Sequence, residues 1–521
     1  MPLKSYLLGS VAACGALAAI APAHAQSSAS LNNQIQALQE QVRALNQQLQ
    51  NLQSQVVQTQ RNQAVTNETV TQMKTAPAAS SSGVVASMPN NRPTLSTADG
   101  RNSIGVTGRI HWDVGDYMNV DPKNSHVGPT QLNSGQNVRR ARLGVVGKVL
   151  GDWNYSLIYD FGGSTDNGAG TPGSTAASSS GGIETAELSY TGFRPFVIEG
   201  GIQDIPYTLD EATSSNDIMF IERSSSQVIA ANLVAGDFRS NFGGHWNNDR
   251  AWIGAYFTGP ATGTIHGVTN GVVQELGAVQ RATYQVLQND LYSLHVGVDA
   301  SELIKPETSA GTRVVTNFSD RPELRIDPTS IINTGTLGSA TNPVTGASVV
   351  GAEFAGGYGP LFGQAEYFHY NVGRQGLSDA SFNGGYVQAS YTITGEHRKY
   401  NPSSGAYTGI SPAHPFDITH FSEGAWGALE LGARYSIIDL NSNYTSGAVT
   451  GASANAVAGG KQQVFTIGAN WYVNSNIRFM LDYLHGKIDK PEGTAGVAGA
   501  PLGTNIGLSY DAIALRTQVA W

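Results

Sequence analysis

The chain has 521 residues and a formal net charge of −9, and only 13% of its residues are charged. Glycine is abundant at 62 residues, and there is one cysteine. The acidic balance argues against a nucleic-acid partner, and a single cysteine excludes an internal disulfide.

Residues 1–25, "MPLKSYLLGSVAACGALAAIAPAHA", have the pattern of a secretory signal peptide. One cation precedes an apolar run, and the small-x-small end predicts cleavage before Gln26. "VAAC" at 11–14 leaves a lipoprotein cleavage box at Cys14 as the alternative. Cleavage after residue 25 would remove the only cysteine, and with it any thiol nucleophile or cysteine-based metal site.

The next segment, residues 26–75, is predicted to form a periplasmic coiled coil. Apolar residues are spaced alternately by four and three positions, which is a heptad seam. The seam consists of Leu31, Ile35, Leu38, Val42, Leu45, Leu49, Leu52 and Val56. The alternative is a single amphipathic helix that packs on its own protein. Residues 76–100, rich in Ser, Ala, Pro and Asn, are predicted to be a flexible linker.

From residue 101 to residue 521 the apolar pattern has a period of two. In "IGVTGRIHWDV" and "WNYSLIYDF", apolar side chains occupy one parity and polar side chains the other. A soluble β-sandwich also alternates, so the connections decide the fold class. Links of three or four residues alternate with long Gly/Ser/Asn-rich ones, which is typical of an outer-membrane barrel. The sequence therefore predicts an all-β fold, an antiparallel transmembrane β-barrel of about 16 strands with an N-terminal coiled-coil helix.

The last ten residues, "AIALRTQVAW", are predicted to be the final barrel strand. Ile513, Leu515, Val519 and Trp521 alternate with polar residues, so one side of this strand would face lipid. Because a closed barrel pairs its last strand with its first, we expect Trp521 among the aromatic residues of the periplasmic interface.

The segment "DIPYTLDEATSSNDIMFIERSSSQVIA" is too long for a tight turn and too apolar for a free external loop. We expect residues of about 204–234 to fold inward and narrow the pore, with Glu222 and Arg223 at the constriction. Ser214 or Ser215 is predicted to cap a helix over "IMFIER".

No catalytic motif is present, and no cofactor or metal ion is implied. His111 and His295 fall on inward parity, but no arrangement of Ser, Asp and His follows from the sequence, so an enzyme is not predicted. The inward rows instead carry charges of both signs, suited to a hydrated pore. The inward cations are Arg109, Arg140, Arg142, Lys148, Arg281, Arg434, Arg478 and Arg516. The inward acids are Asp113, Asp160, Glu187, Glu199, Asp299, Glu353, Glu366, Glu430 and Asp482. The alternative interpretation is that these charges pair across neighbouring strands.

The densest cationic cluster is "RRAR" at 139–142. Guanidinium groups suit oxyanions because their planar fork can bond two oxygens. Alternation sends Arg140 and Arg142 inward and leaves Arg139 at a strand end or beside a bulge. The cluster could instead lie at the rim, facing lipopolysaccharide or loop carboxylates.

Several stretches together resemble the phosphate-selective porin O and P family over roughly residues 102–521. They include "RRARLGVVGKVLGDWNYSLIYDF", "AELSYTGFRPF", "LDEATSSNDIMFIERS", "ASYTITGEHRKY", "GAWGALELGARYS" and "GANWYVNSNIRFMLDYLHGK". The resemblance implies a 16-stranded trimeric outer-membrane barrel that passes small anions. In that family, a ladder of arginines draws phosphate or polyphosphate to a constriction lined by lysine and arginine.

By this resemblance, Arg139 and Arg140 match paired ladder arginines, and Arg321 matches another on a loop that dips into the pore. Arg223 matches the constriction arginine, and Asp160 the carboxylate that faces and orients it. Three positions depart from the family, because Glu211, Asn216 and Asn154 stand where phosphate-selective members have lysines.

The sequence predicts an outer-membrane porin for passive diffusion of small hydrophilic solutes, especially anions such as phosphate. The alternatives are a weakly selective or cation-preferring porin, and a barrel that tethers envelope layers through its stalk. The partners implied are small anions, membrane lipid and lipopolysaccharide, two further copies of the chain in a homotrimer, and peptidoglycan through the stalk. The predicted location is the outer membrane of a Gram-negative cell, with the N-terminal segment in the periplasm.

Overall fold

The structure is a computed structural model. It describes Gln39, Arg43 and residues 83–521 except 126–128, 163–180, 237–238, 262–274, 290, 307, 310–311, 314–317, 445–454 and 492–502. The predicted signal peptide, the coiled coil apart from the helical residues Gln39 and Arg43, and residues 76–82 lie outside the described residues.

Sixteen long strands of the described chain form one closed antiparallel barrel, as the sequence predicts. They are β1 (Ser103–Pro122), β2 (Gly135–Val149), β3 (Trp153–Asp160), β4 (Gly182–Tyr190), β5 (Phe196–Ile202), β6 (Arg239–Asn247), β7 (Ala251–Ala261), β8 (Leu276–Gln288), β9 (Tyr292–Lys305), β10 (Val344–Tyr358), β11 (Leu361–Arg374), β12 (Ala380–Thr392), β13 (Ala428–Ser442), β14 (Val457–Tyr472), β15 (Ile477–Asp489) and β16 (Leu508–Ala520). Each strand pairs with its sequence neighbour, and β16 pairs with β1, with Arg516 opposite Asp113. This last pairing leaves the barrel without a free edge.

The outer face of the barrel is apolar. Alternate side chains such as Leu157, Tyr367, Leu431 and Leu481 are exposed, while their sequence neighbours on the other parity point into the barrel. Among the described residues, no helix is long and apolar enough to cross a membrane.

The two ends of the barrel differ in the length of their connections. Six connections at one end span two to five residues, whereas those at the other end span 12 or more, except the five residues 375–379 between β11 and β12. The exception at the short-turn end is the segment 393–427, which we call the strap. It contains the short strands Tyr400–Asn401 and Ala406–Tyr407 and the 3-10 helix Ile418–Glu423. Its Arg398 reaches Glu430 of the wall with two hydrogen bonds of 3.0 and 2.9 Å, so the strap folds into the lumen.

Trp521 lies at the short-turn end, where its main chain exchanges hydrogen bonds with Gly108 of β1. Its indole packs directly over Gly108, where an added Cβ would stand 2.4 Å from the ring. Aromatic pairs such as Trp153 with Tyr190 and Trp471 with Phe479 lie near the same end. These rings have the amphipathic character of residues that anchor barrels at the membrane interface.

Residues 83–100 differ from the sequence prediction, because the part of the predicted linker that the structure describes is ordered into a hairpin. The strands Val84–Ser87 and Thr94–Thr97, joined through the 3-10 turn Pro89–Asn91, pair with each other, and the second pairs with Ser103–Gly105 of β1. At this point β1 extends beyond the end of β16 and offers unpaired backbone groups. The hairpin satisfies them, a tertiary effect that composition does not reveal.

The loop between β5 and β6, described over residues 203–236, folds into the lumen, and it includes the segment of about 204–234 for which the sequence predicts an inward fold. It contains α1 (Leu209–Ala212) and α2 (Ser225–Val234), and we call it the constriction loop. The prediction of a helix over "IMFIER" is wrong. The two helices of the loop begin after the caps Thr208 and Ser224 and lie on either side of this segment. The wall replaces the helical hydrogen bonds: Asp482 accepts from the amide of Ile221, and Arg434 donates to the carbonyl of Glu222.

A second loop enters the barrel from the long-loop end between β9 and β10. It holds the short strands Thr308–Ser309, Thr312–Arg313, Ser319–Asp320 and Ile332–Asn333. Wall tyrosines fix its backbone: the hydroxyl of Tyr117 donates to the carbonyl of Leu324, and that of Tyr510 to the carbonyl of Pro322. We call residues 318–337 the second inward loop. An apolar core therefore forms inside the barrel, between the wall and these two loops.

Candidate pore constriction

A β-bulge in β2 turns two consecutive arginines into the lumen. His111 of β1 faces Arg140, and the next residue, Trp112, faces Val138, so Arg139 is the extra residue. Strict alternation would send Arg139 to the lipid side. The bulge instead buries both Arg139 and Arg140 within the barrel, so of the strand end and the bulge that the sequence leaves open for Arg139, the register has the bulge.

Arg139 does not line an open passage. Its Nε donates to Oε1 of Glu222 over 2.8 Å, and both side chains are buried. Glu222 also meets Arg516 of the wall at 3.0 Å and Arg325 of the second inward loop at 3.8 Å. The carboxylate that the sequence places at the constriction is thus the point where the wall and both inward loops join. Engagement of a loop carboxylate is one of the alternatives that the sequence leaves open for this cluster.

These arginines hold Glu222 in its ionised form. Glu222 belongs to a loop and not to a membrane-spanning strand. Burial by itself raises the pKa of its carboxyl, but Arg139, Arg516 and Arg325 lower it by more, and the net pKa is about 2. The junction therefore retains its negative charge across the physiological range.

Asp160 pairs with its own wall. Its Oδ2 accepts from Nε of Arg142 at 2.9 Å, and its Oδ1 accepts from the amides of Ala141 and Gly162. The partner that the family resemblance implies, Arg223, instead donates to the carbonyls of Asp210 and Thr213 within the constriction loop. The arrangement shows Asp160 orienting Arg142.

A second β-bulge turns a carboxylate into the lumen at a position that strict alternation assigns to the lipid side. Ile158 of β3 faces Thr185 while Tyr159 faces Ile183, so Glu184 is the extra residue of β4. Glu184 is buried and forms an ion pair with Nη1 of Arg142. Its parity matches the outward row, and the sequence offers no signal for the bulge that turns it inward.

Between the wall and the constriction loop lies a cavity of about 150 Å³ that we call the eyelet. Four arginines and three carboxylates line it, an excess of one positive charge. They are Arg109, Arg140, Arg142 and Arg223, with Glu184, Asp204 and Glu211. The hydroxyls of the "ATSS" turn complete one side, and Nη1 of Arg109 donates to Ser215 at 2.5 Å. The cavity therefore presents fixed hydrogen-bond donors to anions.

Of the five predicted pore residues, Arg140 and Arg223 line the eyelet. Arg139 and Asp160 stand behind it in the ion pairs just described. Arg321 lies on the second inward loop, where its carbonyl accepts a hydrogen bond from Ser225, and it is 8% exposed. The eyelet brings in Arg109 and Arg142, which alternation assigns to the lumen, and Asp204, which precedes the first helix of the loop.

The three positions that depart from the family lie in different places. Glu211 lines the eyelet, where its carboxylate accepts from Nε2 of Gln227 at 2.6 Å and lies 3.6 Å from Arg223. Asn216 contacts Nε2 of His111 at 3.0 Å through its side-chain oxygen. Asn154 is half-buried on β3. Among the three, Glu211 is the one placed to act on a solute in the eyelet.

Away from the eyelet, many inward charges pair with one another, as the alternative interpretation states. Arg516 binds Asp113 with two hydrogen bonds of 2.7 Å, and Arg281 binds Glu353 with two of 2.6 and 2.9 Å. Arg434 binds Glu323 of the second inward loop at 2.8 Å. These pairs hold strands and loops together, whereas the eyelet is lined by β1 to β4 and the constriction loop.

Comparison with known proteins matches residues 104–521 to the family model described as phosphate-selective porin O and P. Porin O of Pseudomonas aeruginosa is 25% identical over 414 residues, covering 76% of this chain and 85% of the relative. An uncharacterized protein of Caulobacter vibrioides is 26% identical over 395 residues, covering 74% of this chain and 68% of the relative. Among solved structures, an anion-selective porin from Comamonas acidovorans aligns with a TM-score of 0.45 and 13% identity, over 81% of this chain and 100% of that one.

Proposed function

The chain belongs to the phosphate-selective porin O and P family and is an outer-membrane porin for passive diffusion, and we propose that it prefers small anions. The observation that carries this proposal is the eyelet, where four arginines outnumber three carboxylates. A fixed positive excess in a narrow, partly desolvated passage raises the local concentration of anions and lowers that of cations.

The arginines of the eyelet are held in place by different means, which suits them to bind a solute in passing. Arg223 is fixed by two backbone carbonyls of its own loop, and Arg109 by the hydroxyl of Ser215. Both side chains remain positively charged, and these hydrogen bonds fix their orientation before a solute arrives. A phosphate oxygen that enters the eyelet would replace water on these donors and leave again without any bond being made or broken, so no catalysis is proposed.

A second candidate, a porin with little preference between anions and cations, is favoured by Glu211. Its carboxylate stands in the eyelet where phosphate-selective members have a lysine. A negative charge there repels a phosphate dianion and offsets part of the arginine field. We therefore propose a modest anion preference, weaker than that implied by the family name.

We propose that the porin is a homotrimer, and the height of the wall supports this. Strands β3 to β6 have only seven to nine residues each, whereas β8 to β16 have 13 or more. With a rise of about 3.3 Å per residue and a tilt of about 40°, such strands span roughly 18 to 23 Å, less than the ~25 Å apolar band of a barrel. A neighbouring copy packed against the short strands β3 to β6 would shield the polar ends of their loops from lipid.

We propose that the predicted coiled coil at 26–75 lies in the periplasm, where it holds protomers in register or contacts peptidoglycan. The hairpin at 84–97 supports this location, because it lies at the short-turn end of the barrel, which faces the periplasm in outer-membrane proteins. Contact of the long loops with lipopolysaccharide belongs to the same proposal. Deleting residues 26–75 should reduce envelope integrity if the stalk tethers layers, and leave single-channel conductance unchanged.

The anion preference is tested by the reversal potential of the purified porin in a planar bilayer with a KCl gradient. We expect a reversal potential whose sign indicates chloride preference, and a reduction of the chloride current by added phosphate. A potential near zero would favour the second candidate. A strong cation preference would contradict both the proposal and the assignment of the arginines as its cause.

A further inference from the structure

On the barrel wall away from the eyelet, three carboxylates converge. Asp299 of β9, Glu353 of β10 and Glu366 of β11 each place a carboxylate oxygen within 4.8 Å of the others. All three side chains are buried inside the barrel. The eyelet does not include them.

The register of the strands brings like charges together. Glu353 faces Glu366 directly across the β10–β11 pair, and Asp299 approaches from the neighbouring strand. Glycines make room for this, because a Cβ at Gly351 would stand 2.3 Å from an Asp299 oxygen. Carboxylates directly opposite one another destabilise a sheet unless something of positive charge lies between them.

The protein supplies only part of that positive charge. Arg281 binds both oxygens of Glu353, and Nε2 of His295 lies 3.1 Å from Oε2 of the same carboxylate. One guanidinium against three ionised carboxylates leaves two negative charges when His295 is neutral. A divalent cation would balance them.

The burial of Asp299 and the state of its carboxylate oxygens indicate where a cation would bind. Asp299 is 3% exposed, and among the described residues neither of its carboxylate oxygens accepts a hydrogen bond of standard geometry, although the hydroxyl of Tyr207 lies close enough to interact with it. An ionised buried carboxylate without partners costs several kcal/mol, so three of them side by side favour a positively charged ligand at this place. Tyr207 lies beside Asp299, and Ser301 follows on the same inward row, which brings two hydroxyl oxygens near the carboxylates.

We propose that Asp299, Glu353 and Glu366 bind a calcium ion. Ca²⁺ takes six to eight oxygen ligands at about 2.3 to 2.6 Å in flexible geometry, so ligand oxygens around it lie up to about 5 Å apart. The spacing of these carboxylates falls within that range. The three converging donors are all hard carboxylate oxygens, a set that favours calcium over zinc and copper.

Glu366 connects this site to the constriction loop. Its oxygens accept hydrogen bonds from the amides of Leu209 at 2.7 Å and Asp210 at 3.2 Å, at the start of α1. The hydroxyl of Tyr386 donates to the same carboxylate at 2.5 Å. A bound calcium ion would fix Glu366 and thereby fasten α1 to the wall.

The test is calcium binding by the full-length porin in detergent, after treatment with EDTA and dialysis. Isothermal titration with Ca²⁺ is compared between the wild type, Asp299→Asn and the surface control Asp439→Asn. Asp299→Asn keeps the shape of the side chain and removes its negative charge, and Glu366→Gln serves as a second variant. Heat-modifiable migration on a gel shows that each variant is folded.

We expect one Ca²⁺ per protomer in the wild type and in Asp439→Asn, with affinity at least about tenfold weaker in Asp299→Asn. Ca²⁺ should raise the unfolding temperature of the wild type and leave that of Asp299→Asn unchanged. Equal binding by the wild type and by folded Asp299→Asn would overturn the proposal. So would a wild type that binds no Ca²⁺, since a shared proton would then stabilise the cluster.

Discussion

Nε of Arg139 lies 2.8 Å from Oε1 of Glu222, and this ion pair joins the barrel wall to the constriction loop. The same carboxylate contacts Arg516 and Arg325, so one acid connects two strands and two loops. A loop that crosses a water-filled bore gains little from the hydrophobic effect on its wet side. Ion pairs and hydrogen bonds to the wall keep it in position.

Replacing this acid should destabilise the porin strongly. In Glu222→Gln the cluster of Arg139, Arg516 and Arg325 loses its shared counter-charge, and breaking such a buried network costs about 3–5 kcal/mol. Thermal unfolding in detergent should show a lowered midpoint. Asp489→Asn, at an exposed carboxylate paired with Lys487, is the control and should stay within about 0.5 kcal/mol of the wild type. A midpoint unchanged in Glu222→Gln would contradict the role assigned to this residue.

The pH dependence of stability follows from the same group. The pKa of Glu222 is lowered to about 2 from an ordinary value of 4.5, so the folded state binds its proton less readily than the unfolded chain. Its contribution to stability is therefore complete above about pH 4.5 and declines as the pH falls toward 2. Unfolding midpoints measured between pH 7 and pH 2 should drop for the wild type in this window. The drop should be smaller in Glu222→Gln, and an equal drop would refute the assignment.

Charge removal at the eyelet should weaken anion preference. Arg140→Gln deletes one of four lining cations, and a charge about 4 Å from a permeant ion is worth roughly 1 kcal/mol in water. The ratio of chloride to potassium permeability should fall by roughly fivefold, measured from the reversal potential. Lys487→Gln removes an exposed lysine far from the eyelet and should leave the ratio unchanged. A ratio unaltered by Arg140→Gln would show that the eyelet is not the selective region.

Removing the carboxylate of Glu211 should have the opposite effect. Glu211→Gln deletes one of three acids that line the eyelet while preserving the shape of the side chain. We expect the permeability ratio to shift further toward anions, and Glu211→Lys to shift it more and to increase the reduction of chloride current by phosphate. The matched control is Glu302→Gln, at an exposed residue of β9. A shift toward cations in either variant would be inconsistent with the charge argument.

A bidentate ion pair at Arg398 anchors the strap, in addition to the hydrogen bonds that Trp252 and Arg281 donate to its backbone at residues 403–405. Arg398 binds both oxygens of Glu430 and also donates to the carbonyl of Asp217, so the pair links the strap, the wall and the constriction loop. Arg398→Lys keeps the positive charge but loses the planar guanidinium that bonds both carboxylate oxygens. Because this weakens the attachment, the strap should become more sensitive to limited proteolysis in detergent. Lys399→Ala, next to it in the chain, should not. Equal cleavage of Arg398→Lys and the wild type would contradict this role.

Much of the fold follows from local pattern. A period of two with short and long connections in turn predicts the strand number and the closure, because lipid on one face and water on the other impose that alternation on every strand. The inward loop is predicted separately, from its length and its apolar content. The hairpin at 84–97 and the unwound "IMFIER" could not be predicted in this way. Both depend on backbone groups of distant strands, in one case β1 and in the other β13 and β15.

The candidate site divides in the same way. Alternation places Arg140 and Arg142 in the lumen, and the apolar loop places Arg223 near the constriction. A bulge moves every following residue to the other face, so Arg139 and Glu184 could be assigned only after the register was known. The partner of Asp160 likewise depended on which arginine the folded wall brings within reach.

The amino-acid sequence by itself determined that this chain forms a closed barrel with a charged bore, because alternation is a property of each strand taken alone. The tertiary structure decided which of those charges remain open to solutes and which neutralise one another. That outcome depends on Coulomb interactions and hydrogen bonds over a few ångströms between residues hundreds of positions apart, and such distances exist only after the strands have paired and the loops have folded between them.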